Sequence, residues 1–166
     1  MRRSTGTTVK ESGNAGNGPG KEREADMKNE LISRAEAIMK ESETAVIALV
    51  DENGFPRAST ISSLKTEGVR HAWFSTGLGS GKARCIRLSD RAGLCYCDGD
   101  NNVTLMGTIE ILTEPGIKKE MWVDWFINHF PGGVTDPEYC ILKFTAEKAV
   151  FWVDSKYMEV DLKEAL

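Results

Sequence analysis

The sequence predicts an α+β domain whose main element is a mostly antiparallel sheet or a small barrel. Short runs of apolar and β-branched residues follow one another and are joined by tight turns. One of these turns contains Asn53-Gly54, a strong hairpin signal. Apolar residues have helical spacing in three places: before the first strand, in the middle of the series and after its main part. Strands and helices therefore do not alternate regularly, as they do in a protein with a parallel sheet.

The elements follow from these patterns in chain order. A helix is predicted over residues 28–41, where the apolar residues at helical spacing are Leu31, Ile32, Ala35, Ile38 and Met39. A short helix is predicted after residue 82 and a longer one over residues 114–128. Gly107 indicates a bulge within a strand. The predicted strands cover residues 45–50, 56–63, 69–76, 92–97, 103–112, 140–145 and 149–153.

The first 26 residues differ in composition from the rest of the chain. They hold five of its 16 glycines and only four hydrophobic residues, Met1, Val9, Ala15 and Ala25. Such a segment buries too little apolar surface to offset the entropy lost on ordering. We therefore expect a disordered tail over residues 1–26 and one folded domain over residues 27–166.

Charge and apolar content exclude several classes of protein. The chain has 166 residues, a net charge of -4 and a sequence pI near 5.3, which argues against a broad nucleic-acid-binding surface. No apolar run reaches the ~20 residues that span a bilayer. Residues 1–19 lack the apolar stretch of a secretion signal, so we expect a cytoplasmic protein with reduced thiols.

The cysteines were considered as metal ligands. Cys95 and Cys97 share one face of a predicted strand, but a metal site needs further ligands and the chain has only two histidines, His71 and His129. We expect no bound metal. No pair of residues suited to acid–base catalysis stands out either, so no catalytic residue is assigned.

A glycine-rich turn between the third predicted strand and the short helix combines the residues best suited to bind a ligand. Thr76, Ser80 and Lys82 surround three glycines there. Glycine lets a backbone approach a ligand closely, and the free amides of a helix start attract an anion. The turn is therefore a candidate phosphate-binding site. The alternative is a flexible turn with an ordinary helix cap.

Two familiar nucleotide motifs do not fit this turn. Thr76 stands where a P-loop begins with glycine, and Ala83 stands where the P-loop has a serine or threonine. Lys82 occupies the position of the third glycine of a dinucleotide fingerprint. The turn therefore predicts anion binding without predicting either nucleotide fold.

The second predicted strand supplies another cation. Arg57 is suited to bidentate contact with a phosphate, although a solvent-exposed edge arginine is the alternative. Strand alternation divides the neighbouring side chains between two faces, with Arg57, Ser59 and Ile61 on one and Ala58, Thr60 and Ser62 on the other.

These segments together resemble the pyridoxamine 5'-phosphate oxidase-like superfamily of split barrels that bind flavin mononucleotide (FMN). The segment from Thr76 to Ala83 is similar to the family's Thr-x-x-x-Ser-Arg-Lys phosphate segment. The strand that begins at Arg57 is similar to the one that holds the flavin. Asn102 falls where the oxidases carry a glutamine facing the flavin, and Trp152 is similar to a late tryptophan that contacts flavin from the partner subunit.

A branch of the superfamily related to general stress protein 26 has further segments in common with this chain. They are Trp122-x-x-Trp125, Phe130-Pro131-Gly132-Gly133 and Asp136-Pro137-x-Tyr139. The resemblance implies a six-stranded split β-barrel with flanking helices, and a homodimer with FMN at the subunit interface. The cofactor-binding residues it implies are Arg57, Ala58, Ser59, Thr60, Ser62, Ser75, Thr76, Ser80, Lys82, Asn102 and Trp152.

The chain also departs from the family pattern. Gly81 replaces an arginine of the phosphate segment, so either Arg57 and Lys82 carry more of the anion binding or the affinity is lower. Met158-Glu159-Val160 replaces the Arg-Leu-His element that grips the oxidases' phosphorylated substrate, which argues against oxidation of pyridoxamine phosphate. The resemblance then implies an FMN-dependent oxidoreductase of unknown substrate. The alternatives are a non-catalytic flavin-binding stress protein and a relative that binds haem or deazaflavin.

Overall fold

A computed structural model describes residues 19–163 of the chain. The first helix, α1, spans Pro19–Glu41 and so begins within the segment that was expected to be a disordered tail. Residues 20–30 are exposed, and Leu31 is the first buried residue. The apolar pattern marks only the part of α1 that packs on the core, which explains why the sequence predicts a later start. The rest of the predicted tail, residues 1–18, lies outside the described residues.

Seven strands form one antiparallel sheet that closes into a six-stranded barrel. The sheet order is β3-β2-β1-β4-β5-β6-β7, and a further pairing of β3 with β6 closes the barrel and leaves β7 outside. This confirms the predicted α+β split barrel. The strands are β1 (Thr44–Val50), β2 (Pro56–Glu67), β3 (His71–Gly77), β4 (Arg91–Asp98), β5 (Asn101–Leu112), β6 (Tyr139–Val153) and β7 (Lys156–Asp161).

Helices cover parts of the barrel surface. The α1 face formed by Leu31, Ala35, Ile38 and Met39 joins the barrel interior in one hydrophobic core. The second helix, α2, spans Gly81–Leu88 and follows β3 directly. The helix predicted over residues 114–128 is broken into α3 (Pro115–Glu120) and a 3-10 turn (Asp124–Asn128). Within residues 19–163, no helix combines the length and apolar character needed to cross a membrane.

Aromatic packing explains the break in the predicted helix. Val123 is extended, with φ -126° and ψ 142°, and separates two segments that both reach Tyr139. The ring of Trp122 lies 5.2 Å from that of Tyr139, and Phe126 lies 5.7 Å from it. Phe130 joins the same buried cluster. Most of the aromatic residues after residue 120 therefore form a core, while Trp125, Trp152 and Tyr157 remain exposed.

The two last predicted strands form one continuous strand, β6. Its first half pairs with β3, its second half pairs with β7, and β5 pairs along both halves. Polar residues near the middle interrupt the apolar pattern, which is why the sequence suggests two strands. The predicted bulge is confirmed, because the register of β5 and β6 shifts between Met106 and Gly107.

The barrel is open between β2 and β3, and this opening positions the candidate site. The two strands pair only from Ser63 to Glu67. Residues 56–62 of β2 pair with β1, and residues 75–77 of β3 pair with β6. Between these segments there is no β2–β3 pairing in the described chain. We call this opening the split, and α2 begins beside it.

Candidate functional site

The glycine-rich turn ends in a capped helix start. Ser80 is the N-cap of α2, and its Oγ accepts a hydrogen bond from the amide of Ala83 at 3.1 Å. The Ser80 hydroxyl also lies 3.0 Å from Oγ1 of Thr76. The amides of Gly81 and Lys82 belong to the first helical turn and have no intrahelical acceptor. The cap therefore leaves two donors, and the positive end of the helix dipole, available to an anion.

The structure brings Arg57 from the start of β2 onto this helix start. A Cβ atom added at Gly81 would stand 2.5 Å from Nη1 of Arg57 and 3.2 Å from Nη2. The guanidinium therefore occupies the space that a side chain at position 81 would need. Arg57 thus places its charge at the position where, according to the family resemblance, Gly81 replaces an arginine. We call Arg57, Ser80, Gly81 and Lys82 the cradle.

The cradle places the positive charges of Arg57 and Lys82 close together. Burial lowers the pKa of the half-buried Lys82 ammonium, and the positive charge of Arg57 lowers it further. None of the ion pairs within residues 19–163 includes either side chain. Two adjacent cations repel each other, and an anion between them relieves the repulsion. The cradle therefore fits a phosphate group in charge and in hydrogen-bond donors.

Two of the three glycines in the turn serve a different purpose from the one predicted. The amide of Gly79 donates to Oε2 of Glu138 at 2.9 Å, and the amide of Leu78 donates to the Glu138 carbonyl at 2.8 Å. A Cβ at Gly79 would stand 3.1 Å from the same carboxylate oxygen. Gly77 also lies against Glu138. These two glycines accommodate Glu138, and only Gly81 belongs to the cradle.

Asp136 explains why Glu138 reaches the turn. Its carboxylate accepts a hydrogen bond from the amide of Gly132 and another from the amide of Glu138, both at 2.9 Å. A side chain at Gly132 would crowd Asp136, since an added Cβ would lie 3.1 Å from its Oδ2. The segment from Phe130 to Tyr139 therefore has a structural role, because it positions Glu138 against the glycine-rich turn.

A cleft of about 340 Å³ lies in the split beside the cradle. One wall consists of small and hydroxyl-bearing residues from β2 and β3, and the other consists of aromatic residues around the 3-10 turn. Trp125 and His129 are not among the site residues that the sequence predicts. The sequence signal that could have indicated them is their spacing of four residues beside Phe130. The cleft is lined by Ser62, Ser75, Thr76, Gly77, Trp125, Phe126, His129 and Phe130.

Asn102 and Trp152 lie elsewhere in the single chain. They are directly opposite each other on β5 and β6. Trp152 lies well beyond Thr145, where the pairing of β6 with β3 ends, and strands β1 and β4 separate Asn102 on β5 from β2. Trp152 is 42% exposed on the outer face of the barrel, directly opposite the exposed Tyr157 on β7. One chain therefore does not bring these two residues to the cradle.

Two of the four thiols have a raised pKa and are therefore not activated nucleophiles. The sulfurs of Cys95 and Cys97 lie 3.7 Å apart on the outer face of β4. Burial and the hydrogen bond to Cys95 raise the pKa of Cys97. Burial raises the pKa of Cys140 to about 11. Within residues 19–163 no three side chains among histidine, cysteine, aspartate and glutamate come together as a metal site.

The sequence model of the pyridoxamine 5'-phosphate oxidase family matches residues 31–153, which include all six strands of the barrel. The chain belongs to this family. None of the curated proteins matches the chain in sequence.

Several solved structures are similar to this family member. A Clostridium acetobutylicum protein related to general stress protein 26 is 27% identical, and the match covers 86% of this chain and 97% of that one with a TM-score of 0.66. General stress protein 26 of Bacillus anthracis is 15% identical, covering 80% and 98%, with a TM-score of 0.64. A heme-binding protein of Mycobacterium smegmatis is 12% identical, covering 79% and 57%, with a TM-score of 0.61. The last two likenesses show the fold alone.

The structure also accounts for this chain's departure from the phosphate grip of the oxidases in the family. The replacing segment, Met158-Glu159-Val160, lies in β7 outside the closed barrel. Val160 is buried in the core, and the exposed Glu159 accepts a hydrogen bond from the Tyr157 hydroxyl. This segment therefore contributes an apolar group and an anion, and no cationic side chain.

Proposed function

We propose that this chain binds FMN and acts as a flavin-dependent redox protein. The observation that carries the proposal is the cradle, in which the Arg57 guanidinium lies over Gly81 beside a half-buried Lys82. Ser80 and the free amides of the helix start supply neutral donors to the same place. Such a site binds a phosphate monoester, and the family membership makes the phosphate of FMN the leading candidate.

The split offers room and hydrogen-bonding groups for the rest of the ligand. Residues 56–62 of β2 pair with a strand on one side only. The backbone groups along the other edge can therefore bind a flat polar ring. Ala58, Ser59, Thr60 and Ser62 lie along that edge, and Ser75 and Thr76 face them from β3. These are the residues that the family resemblance assigns to the cofactor.

We propose a homodimer as the assembly that completes the site. The outer face exposes Val46, Met106, Trp152 and Tyr157, a combination of aromatic residues and methionine that is typical of subunit interfaces. In the family pattern, the equivalent of Asn102 faces the flavin, and the equivalent of Trp152 contacts the flavin from the partner subunit. Their separation from the cradle within one chain agrees with that arrangement.

A bound flavin itself supplies the electron-transfer chemistry, so the protein needs only to bind it, orient it and tune it. The raised pKa values of Cys97 and Cys140 are compatible with this role. The replacement of the oxidases' cationic grip argues for a substrate other than a vitamin B6 phosphate. A flavin carrier without turnover is the second form of the proposal, and it differs only in lacking a redox partner.

The native ligand tests the proposal. The full chain, purified without added cofactor, is denatured, and the released small molecules are identified by mass spectrometry and by visible absorption. Release of FMN supports the proposal. Release of haem overturns it and favours the ligand named for the Mycobacterium smegmatis protein. Release of a deazaflavin also overturns it. For a chain that releases FMN, sustained oxidation of a reduced nicotinamide distinguishes an enzyme from a carrier.

A further inference from the structure

Trp125 is an exposed aromatic residue at the mouth of the cleft. Half of its side chain is accessible, at 50%, although two neighbours fix its orientation. Its ring packs edge-on against Phe126, with centroids 4.6 Å apart, and against His129 at 5.6 Å. An exposed tryptophan that is held in one orientation provides a preformed flat surface. Such a surface stacks on planar rings with little loss of side-chain entropy.

Thr76 borders both the cleft and the cradle. This residue lines the cleft, and its hydroxyl lies 3.0 Å from that of Ser80 in the cradle. One ligand can therefore occupy both, with an anionic group at Arg57 and Lys82 and an uncharged part in the cleft. The walls of the cleft carry hydroxyls and aromatic rings and include no lysine, arginine, aspartate or glutamate. A planar ring with hydrogen-bonding edges suits these walls.

We infer that Trp125 and His129 form the ring-binding wall for the ligand whose phosphate the cradle of the same chain holds. The inference rests on the proposed function, since FMN is the ligand that joins a phosphate to such a ring. It adds a same-chain aromatic contact that the family motifs do not assign. Trp152, which the motifs do assign, lies on the outer face and is available only to a partner's ligand.

The test compares a ligand that has the phosphate with one that lacks it. FMN and riboflavin are titrated separately into the purified full chain, and quenching of flavin fluorescence reports binding. Trp125→Ala is expected to weaken both ligands by a similar factor, roughly five- to a hundredfold, because stacking on the ring is lost. Trp125→Phe keeps a flat ring and is expected to remain within about threefold of wild type. Thermal melts of each variant verify that it is folded.

Lys82→Ala and Trp152→Ala complete the comparison. Lys82→Ala is expected to weaken FMN and to leave riboflavin unchanged, because only FMN has the phosphate. If Trp125→Ala binds both ligands like wild type while Lys82→Ala weakens FMN, the inference fails and the proposed function stands. Loss of riboflavin affinity in Trp152→Ala alone assigns the ring contact to the partner subunit and also overturns the inference. A wild-type chain that binds neither ligand overturns both the inference and the proposed function.

Discussion

The cradle depends on four residues from two distant segments of sequence. Residue type and spacing single out Lys82, a cation beside glycine and hydroxyl groups, and they mark Arg57 as a cation suited to phosphate contact. The sequence alone cannot show that the Arg57 guanidinium fills the space over Gly81, because that contact depends on how β2 approaches α2. For the same reason the sequence assigned Gly77 and Gly79 to the ligand, whereas they accommodate Glu138.

Replacement of Lys82 by alanine tests the charge of the cradle. A charge-assisted contact to a phosphate contributes about 1.5–3 kcal/mol, so Lys82→Ala is expected to weaken FMN roughly ten- to a hundredfold. Isothermal titration calorimetry measures the change. Lys40→Ala, which removes an exposed lysine from α1, is the matched control and should bind FMN like wild type. Wild-type affinity in Lys82→Ala would place the phosphate elsewhere.

The lowered pKa of Lys82 predicts a pH dependence of FMN binding. Burial and the charge of Arg57 hold this pKa below its ordinary value of 10.5. The phosphate prefers the protonated ammonium, so affinity falls as pH rises through the lowered pKa of the free protein. By linkage, binding of FMN raises the pKa of Lys82.

Lys82→Arg isolates the contribution of this one group, because a guanidinium stays charged over the same pH range. The affinity of wild type relative to Lys82→Arg is expected to decline at alkaline pH with a midpoint below 10.5. The ratio cancels any titration of the flavin itself. A ratio that does not change between neutral and alkaline pH contradicts an anion contact at Lys82.

At the scale of elements, the local sequence pattern predicts the strands and helices that apolar alternation or helical spacing marks. It misses the element boundaries that depend on tertiary packing. The six barrel strands are evident from apolar and turn residues, with β6 predicted as two strands. The break after α3 is not, because Trp122 and Phe126 have helical spacing and are separated only by the way both pack on Tyr139. The first part of α1 is exposed and has no apolar stripe, so the sequence pattern gives no signal for a helix there.

Gly107 tests the contribution of the bulge to stability. A Cβ added there would stand 2.0 Å from the carbonyl oxygen of Thr145, which belongs to the backbone of β6 and cannot move aside cheaply. Gly107→Ala is expected to lower the free energy of unfolding by about 1–3 kcal/mol, measured by urea denaturation. Gly116→Ala in α3 is the control, since no atom lies within 4 Å of its added Cβ. Equal stability of the two variants contradicts the close approach.

At the scale of the whole molecule, closure of the barrel produces both the split and the outer face. Strand pairing is a long-range property, and the sequence predicted it only through the family resemblance. The closure by β3 and β6 leaves residues 56–62 without a second partner strand and so creates the cleft. The same sheet presents exposed apolar side chains on the opposite side of β1, β4, β5 and β6 from the core.

The outer face predicts a dimer in solution. Light scattering coupled to size exclusion is expected to give twice the 18.3 kDa mass of the chain at micromolar concentration. Val46→Asp places a charge on this face and is expected to yield monomers. Leu88→Asp changes an exposed apolar residue at the end of α2 and should leave the dimer intact. A monomeric wild-type chain, or a dimer that survives Val46→Asp, contradicts this interface.

Whether the cradle holds the phosphate of FMN is tested most directly by the ratio of the affinities of the wild-type chain for FMN and for riboflavin. The two ligands share the ring system and differ in the phosphate. If the cradle holds the phosphate, FMN is expected to bind at least tenfold more tightly than riboflavin, and Lys82→Ala is expected to reduce this ratio toward one. Equal affinity of the wild-type chain for the two flavins, or no binding of either, would contradict it.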